Sequence, residues 1–162
     1  MASFRIALVV SKYNEFITDR LEAGARAALR ESGLQDDDVV TFSVPGAYEL
    51  AQAAQRVAQD RSWDAVVCLG CLIRGETPHF DFVASAAAEG IMRAAQSTGV
   101  PIAFGVLTTN TAEEAMARAG DGPANKGRES AAAALEMARL YRSLPARRGD
   151  ASLEKRPGDA SS

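Results

Sequence analysis

Residues 65–81 read AVVCLGCLIRGETPHFD, an apolar run followed directly by a cluster of polar side chains. Ala65–Leu72 has the length and composition of a strand that is covered on both faces, and Ala84–Ala95 then reads as a helix. The polar cluster between them therefore lies at the carboxyl end of a strand, where open α/β sheets bind their ligands. It contains His79, the single histidine of the chain, and histidine side chains exchange protons near neutral pH.

The rest of the chain repeats this alternation of strand and helix. Further strands are predicted at Phe4–Val10, Val39–Val44 and Val100–Leu107. Further helices are predicted at Phe16–Ser32, about Ala47–Asp60, from Thr111 to near Gly120, and Asn125–Leu144. Such connections favour parallel strands with right-handed crossovers. We predict an α/β three-layer sandwich of flavodoxin-like type, with a four-stranded parallel sheet and helices on both faces.

Length and composition predict one globular domain. The 162 residues suffice for one sizeable core, which we assign to residues 1–144, and the polar residues 145–162 are predicted to be a disordered tail. The net charge of -3 provides no bulk attraction to nucleic acid, and the sequence has no signal peptide or membrane-spanning pattern. We expect a cytoplasmic protein that binds neither nucleic acid nor membranes.

The two cysteines, Cys68 and Cys71, have the spacing of a thioredoxin-type redox pair. Redox pairs usually open a helix, whose dipole lowers the pKa of one thiol. These cysteines instead fall within the predicted strand Ala65–Leu72. We therefore interpret them as small core residues.

The loops after the four predicted strands should meet at one edge of the sheet. They contain Tyr13 and Asn14, then Pro45–Glu49, then Arg74–Asp81, then Thr108–Asn110. The ring of Tyr13 suits stacking on a flat ligand, although a surface ring that partly covers the core is an equal alternative. The glycine and carboxylate of Pro45–Glu49 suit a ligand, or a simple strand-to-helix turn.

Two further groups suit an anion. Gly75–Thr77 precedes a predicted helix and offers backbone N–H groups and a hydroxyl to a phosphate. Arg118 and Lys126 flank the turn at Gly120, and arginine binds phosphate with two parallel hydrogen bonds, although most such cations are merely solvated.

A metal site is the weaker interpretation of the polar cluster. Glu76, His79 and Asp81 carry ligand atoms, but they crowd one short loop and no second histidine accompanies them. We therefore predict no metal.

Taken together, these motifs resemble the lumazine synthase family from about Phe4 to Leu144. They are Tyr13–Asn14 before Phe16–Thr18, the Pro45–Glu49 turn, Ile73–His79 with Phe80 and Asp81, Gly105–Thr109, and Arg118–Gly120 with Asn125–Gly127. The resemblance implies condensation of 5-amino-6-(D-ribitylamino)uracil with 3,4-dihydroxy-2-butanone 4-phosphate to 6,7-dimethyl-8-ribityllumazine, the penultimate step of riboflavin biosynthesis. It also implies that this transferase requires no cofactor or metal.

The resemblance implies a role for each candidate residue, first for those that would bind the uracil substrate. The residues implied to contact the heterocycle and its ribityl chain are Tyr13, by stacking, Asn14, Ala47 and Glu49 at the ribityl chain, Leu72 and Ile73 through their backbone, and Tyr48. His79 would relay protons beside the phosphate.

The implied phosphate contacts come from two parts of the chain. Glu76 and Thr77 would help to bind the phosphate, Arg118 would pair with it, and Phe104 and Lys126 would complete the pocket. In this family Phe104, Arg118 and Lys126 are contributed by a neighbouring subunit, which implies a homopentamer or a multiple of one. A non-catalytic flavin or lumazine carrier and a structural shell protein are the competing hypotheses.

Overall fold

The computed structural model describes residues 3–145, in which strands and helices alternate along the chain. The strands are β1 Ile6–Ser11, β2 Val39–Val44, β3 Ala65–Ile73 and β4 Ile102–Thr109. The α-helices are α1 Glu15–Glu31, α2 Leu50–Ala58, α3 His79–Thr98, α4 Ala112–Ala117 and α5 Lys126–Ser143. Short 3-10 helices cover Asp36–Asp38 and Ala47–Glu49.

The four strands form one parallel sheet in the order β2-β1-β3-β4. The central strand β1 is buried along its whole length and β3 along most of it, which explains their nearly continuous apolar sequences. The outer strands β2 and β4 mix buried with exposed positions. The predicted parallel sheet is confirmed, and its four carboxyl ends lie at the same edge.

The sheet separates two hydrophobic cores. One core joins α1, α4 and α5 to the face of the sheet that carries Leu8 and Val67, and the other joins α2 and α3 to the face that carries Val9 and Val66. Helices therefore cover both faces, so the predicted three-layer α/β fold of flavodoxin-like type is confirmed.

The turn before α5 is held by a close contact between α5 and α1. Gly127 lies so near the α1 backbone that a Cβ atom has no room there. The buried side chain of Asn125 donates from Nδ2 to the carbonyl oxygens of Arg20 (3.2 Å) and Gly120 (2.9 Å), and its Oδ1 accepts from the Arg128 N–H (3.1 Å). These bonds cap α5 and fix the turn between α4 and α5.

The largest difference from the predicted boundaries is at α3, which begins at His79 instead of Ala84. Pro78 directly precedes the helix, and its φ of -70° suits a helix start. Proline does not interrupt a helix at this position, because the backbone N–H groups of the first turn have no helical acceptor and the N–H that proline lacks is not needed. His79 is therefore held by a helix and not by a flexible loop.

Smaller differences occur elsewhere. The predicted helix over 47–60 is divided into the 3-10 turn and α2, and β1 and β4 each begin and end later than predicted. Apart from Pro145, the predicted tail over 145–162 lies outside the described residues. Within residues 3–145, no helix has the length and hydropathy that a membrane span requires.

Candidate functional site

The loops after β1, β2 and β3 and the first turns of α3 enclose a cleft of about 690 Å³, which we call the aromatic cleft. It is lined by Tyr13, Gly46, Ala47, Tyr48, Glu49, Leu72, Ile73, Gly75, Thr77, His79, Phe80, Phe82 and Val83. Its size is within the usual range for small-molecule sites. The sequence-predicted residues from Tyr13 to His79 thus meet here, with the exception of Asn14 and Glu76.

Backbone hydrogen bonds bring the first two loops together. The N–H groups of Lys12 and Tyr13 donate to the carbonyl oxygens of Val44 (2.8 Å) and Pro45 (3.1 Å), which extends the pairing of β1 with β2 beyond both strands. This extension places Tyr13 beside the 3-10 turn Ala47–Glu49.

Three aromatic rings in this cleft are strongly exposed. Tyr13 is 70% exposed, Tyr48 63% and Phe82 73%. Rings of this size usually bury most of their surface, and a cluster of exposed rings marks a binding surface. The alternative for Tyr13, a ring that covers the core, does not fit this exposure.

His79 and Thr77 lie at the amino end of α3, where the first backbone N–H groups lack helical partners and the dipole favours negative charge. Both side chains are exposed. Among the described residues, the His79 imidazole has no hydrogen-bond partner, so its nitrogens are available to a bound ligand. An anion and a proton-exchanging ring can therefore meet at this position.

Asn14 and Glu76 lie next to lining residues without lining the cleft. Asn14 has a left-handed backbone (φ 60°), and its Nδ2 donates to the carbonyl oxygen of Cys71 at 2.9 Å. Its backbone carbonyl accepts from Ile17 and Thr18, which starts α1. Asn14 thus joins the β1 loop to β3. Glu76 is exposed.

A second cleft of about 580 Å³, which we call the cationic cleft, runs along the outer edge of β4. It is lined by Phe104, Val106, Leu107, Thr108, Thr109, Glu114, Arg118, Ala124, Lys126 and Glu129. The three remaining predicted residues, Phe104, Arg118 and Lys126, all lie here. The two clefts share no lining residue.

Arg118 is the better placed of the two cations for an anion. Its Nη1 donates to the carbonyl oxygen of Glu114 at 3.0 Å, and within residues 3–145 its guanidinium forms no ion pair. Lys126 donates its backbone N–H to the Arg118 carbonyl oxygen (2.8 Å), while its Nζ contacts Glu129 Oε1 at 3.1 Å. The guanidinium is therefore free to form a two-bonded contact with a phosphate.

Thr111 and Glu114 have the spacing of a capping box, and the structure forms half of it. Thr111 Oγ1 accepts from the Glu114 N–H at 3.1 Å, but the Glu114 carboxylate accepts from the N–H of Asn110 (3.1 Å) instead of that of Thr111. The carboxylate thereby stabilises the turn that leads from β4 into α4.

Cys68 and Cys71 are free, buried and on opposite faces of the sheet, one in each core. Burial raises the pKa of Cys68 to about 12 and that of Cys71 to about 11. Both thiols are therefore protonated at neutral pH and point apart, which supports the core interpretation over the redox pair.

The described residues contain no group of three acidic, histidine or cysteine side chains arranged for a metal ion. Of the three ligands weighed from the sequence, the Asp81 carboxylate is occupied by the guanidinium of Arg74.

Sequence reasoning missed two lining residues of the aromatic cleft, Phe82 and Val83. Phe82 is the more exposed of them. Phe82 and Val83 lie in the first turns of α3, which begins at His79. A sequence prediction that started this helix at His79 would have placed both residues beside the cleft.

The comparisons with known proteins agree with this geometry. The family described as 6,7-dimethyl-8-ribityllumazine synthase matches residues 3–142. Two relatives with that name, from Chlorobium phaeovibrioides and Salinibacter ruber, are each 49% identical to this chain over 140 residues, which is 86% of this chain and 90% of each relative. The chain therefore belongs to the 6,7-dimethyl-8-ribityllumazine synthase family.

Proposed function

We propose that this chain condenses 5-amino-6-(D-ribitylamino)uracil with 3,4-dihydroxy-2-butanone 4-phosphate to 6,7-dimethyl-8-ribityllumazine. The observation that carries the proposal is the convergence of the family's ring-binding and proton-relay motifs on the aromatic cleft. Family membership supports the same reaction. The reaction is the penultimate step of riboflavin biosynthesis.

In this proposal the aromatic cleft binds the uracil substrate. The Tyr13 ring stacks on the pyrimidine, and the backbone of Leu72 and Ile73 contacts the heterocycle. Ala47 and Glu49, with Tyr48 and Asn14 nearby, meet the ribityl hydroxyls, which suit carboxylate and amide groups.

The phosphate of the other substrate binds at the amino end of α3. Thr77 and Glu76 contribute backbone and hydroxyl groups there. Arg118 and Lys126 are the complementary cations, but they line a separate cleft of the same chain. One aromatic cleft therefore needs the cationic cleft of a second chain.

We assign that second chain to the neighbouring subunit of a homopentamer or a multiple of it. Support comes from the cationic cleft, which lies along the outer edge of β4 in the described sheet. Further support comes from exposed apolar residues outside both clefts, such as Phe16, Met92 and Leu140. Around a cyclic ring, each interface would then complete one active site.

The chemistry of the residues fits the steps. The substrate amine attacks the butanone carbonyl, and the resulting carbinolamine loses water to form an imine. Phosphate then leaves and the second ring closes with loss of water. Each step transfers a proton, which His79 relays, and the binding of both reactants in one pocket supplies orientation.

Absorbance and fluorescence after mixing the two substrates test the proposal against its alternatives. A synthase generates the lumazine signal with multiple turnovers and releases phosphate. A carrier binds added lumazine without forming it, and a structural shell protein does neither. Absence of product from an assembled, folded sample contradicts the proposal.

The free thiols Cys68 and Cys71 are compatible with a reducing compartment, and we propose the cytoplasm as the site of action.

The shared site predicts complementation between two impaired variants when the butanone phosphate is kept below saturation. His79→Ala chains and Arg118→Ala chains, mixed and reassembled in equal amounts, should recover activity because some interfaces then pair a wild-type His79 with a wild-type Arg118. Random mixing makes about a quarter of the interfaces intact. The measurement is turnover of mixed rings against rings reassembled from each variant alone, with mixing verified by distinct affinity tags. Mixed rings that give only the average of the two parents contradict a shared site.

A further inference from the structure

Arg74 lies between the two clefts without lining either of them. It directly follows β3, and its backbone N–H donates to the Thr109 carbonyl oxygen at 2.8 Å, which extends the pairing of β3 with β4 by one residue. The position of its backbone is therefore fixed by the sheet. Its side chain is next to the start of α3, where His79 stands.

All three guanidinium nitrogens of Arg74 are engaged. Nη1 and Nη2 donate to the two Asp81 carboxylate oxygens at 3.3 and 3.2 Å, and Nε donates to Asn110 Oδ1 at 3.0 Å. The guanidinium also lies over the Phe80 ring, 4.5 Å from its centre. Arginine combines these contacts because its fork is planar and rigid, whereas lysine offers a point charge.

Two of these partners are the residues that directly follow His79. Asp81 belongs to the first turn of α3, where its N–H donates to the Pro78 carbonyl oxygen at 3.1 Å. Holding Asp81 and Phe80 fixes the rotation of that turn about the helix axis, and this rotation sets the direction in which the His79 side chain leaves the backbone. The His79 side chain has no hydrogen bond of its own within the described residues, so its orientation depends on this turn.

A contribution to the stability of the fold does not explain these contacts. The side chains of Arg74 and Asp81 are 46% and 58% exposed, and exposed ion pairs contribute little to stability. Contacts with three different residues, Asp81, Phe80 and Asn110, are better suited to fixing the orientation of the first turn of α3 than to stabilising the fold.

We propose that Arg74 is a positioning residue for the condensation: by clamping Asp81, Phe80 and Asn110, it holds the first turn of α3 so that His79 faces the reacting atoms. The inference rests on the proposed function for its kinetic consequences. Its structural consequence, a fixed His79 ring, can be measured without any turnover.

The chain offers a matched control. Arg30 Nη2 contacts Asp36 Oδ1 at 3.2 Å, the same distance as Arg74 Nη2 to Asp81 Oδ1, and that pair is also exposed and lies outside both clefts. Arg74→Met and Arg30→Met therefore each remove one exposed arginine–aspartate pair. Both should leave the melting temperature within about 3 °C of the wild type.

The kinetic result should separate the two variants. Arg74→Met is expected to lower kcat about 10- to 100-fold, because small displacements of reacting groups have costs of this order, with little change in the KM of the uracil substrate. Arg74→Lys should remain near Arg74→Met, since the charge is kept and the fork is lost. Arg30→Met should retain wild-type kcat. Full activity of Arg74→Lys or Arg74→Met overturns the proposal.

A double variant tests whether Arg74 acts through His79. In the His79→Ala background, adding Arg74→Met should change kcat by less than about twofold, because the group being positioned is already gone. A further loss as large as in the wild-type background overturns the assignment.

The closing experiment uses the single histidine of the chain, which gives one unambiguous set of NMR signals after selective ¹³C labelling of histidine. Arg74→Met should shift or broaden the ring signals of His79, while Arg30→Met leaves them at their wild-type positions. Unchanged signals in Arg74→Met overturn the positioning role even if the enzyme makes lumazine. Failure of the wild type to make lumazine would instead overturn the proposed function, and a shifted His79 signal would still support the clamp.

Discussion

The aromatic and cationic clefts differ in the chain segments that form them, in their aromatic content and in their charge. The aromatic cleft is built from three loops and a helix start, and it exposes the rings of Tyr13, Tyr48 and Phe82 beside one histidine. The cationic cleft follows one strand edge and gathers two cations, Arg118 and Lys126, beside two carboxylates. The first suits a flat ring that carries a hydroxylated chain, and the second suits a phosphate.

In the proposed reaction between a ring and a phosphorylated ketone, neither cleft alone would supply every group that is required. The aromatic cleft has a proton carrier and backbone N–H groups but no arginine or lysine in its lining. The cationic cleft has no histidine. If the two are joined across a subunit interface, variants in the aromatic cleft should alter turnover and variants in the cationic cleft should alter phosphate affinity.

The largest effect is expected from His79→Ala. Loss of a positioned acid–base group should lower kcat about 10²- to 10⁴-fold, while the KM values of both substrates change little. Steady-state kinetics with each substrate varied in turn measures this. His79→Gln is the matched variant, because it keeps a polar side chain of similar reach without proton exchange, and it should be as slow. Wild-type kcat in either variant would remove His79 from the mechanism.

Arg118→Ala should act on affinity. A hydrogen-bonded contact with a charged group corresponds to roughly a 10- to 100-fold rise in the KM of the butanone phosphate, with the KM of the uracil almost unchanged. Inorganic phosphate should compete with the butanone in the wild type and barely inhibit the variant.

The control is Arg56→Ala, which removes an exposed arginine of α2 outside both clefts and should leave both KM values alone. Equal rises in the two KM values of Arg118→Ala would contradict the division of labour between the clefts.

Much of the aromatic cleft could be predicted from the sequence because its loops follow strands with unmistakable apolar composition. Parallel strands bring their carboxyl ends to one edge, so Tyr13, Pro45–Glu49 and His79 could be placed together before any coordinates. The start of α3 could not, because the composition of residues 79–83 does not separate a polar loop from a first helical turn.

The cationic cleft and the clamp needed the structure. The sequence placed Arg118 and Lys126 near one turn. The position of Arg118 beside β4 depends on how α4 and α5 pack against the sheet, which the sequence pattern does not give. The contact of Arg74 with Asn110 joins residues far apart along the chain, and no local pattern encodes it. Long-range side-chain pairs of this kind depend on tertiary packing.

The smallest expected effect tests how the charges of the cationic cleft are balanced. Glu129 contacts Lys126 at 3.1 Å and so competes with any anion for that ammonium group. Glu129→Gln removes one negative charge and should lower the inhibition constant of inorganic phosphate about twofold, since exposed pairs are weak. The difference should fade at about 1 M salt, where the screening length is about 3 Å.

Glu136→Gln is the matched control, because it removes an exposed glutamate of the same helix outside the cleft and should leave phosphate inhibition unchanged. Weaker phosphate binding in Glu129→Gln would reverse the interpretation. Glu129 would then hold Lys126 in its binding position, as Arg74 is proposed to hold His79, and the cationic cleft would also depend on a charge that orients its ligand-binding group.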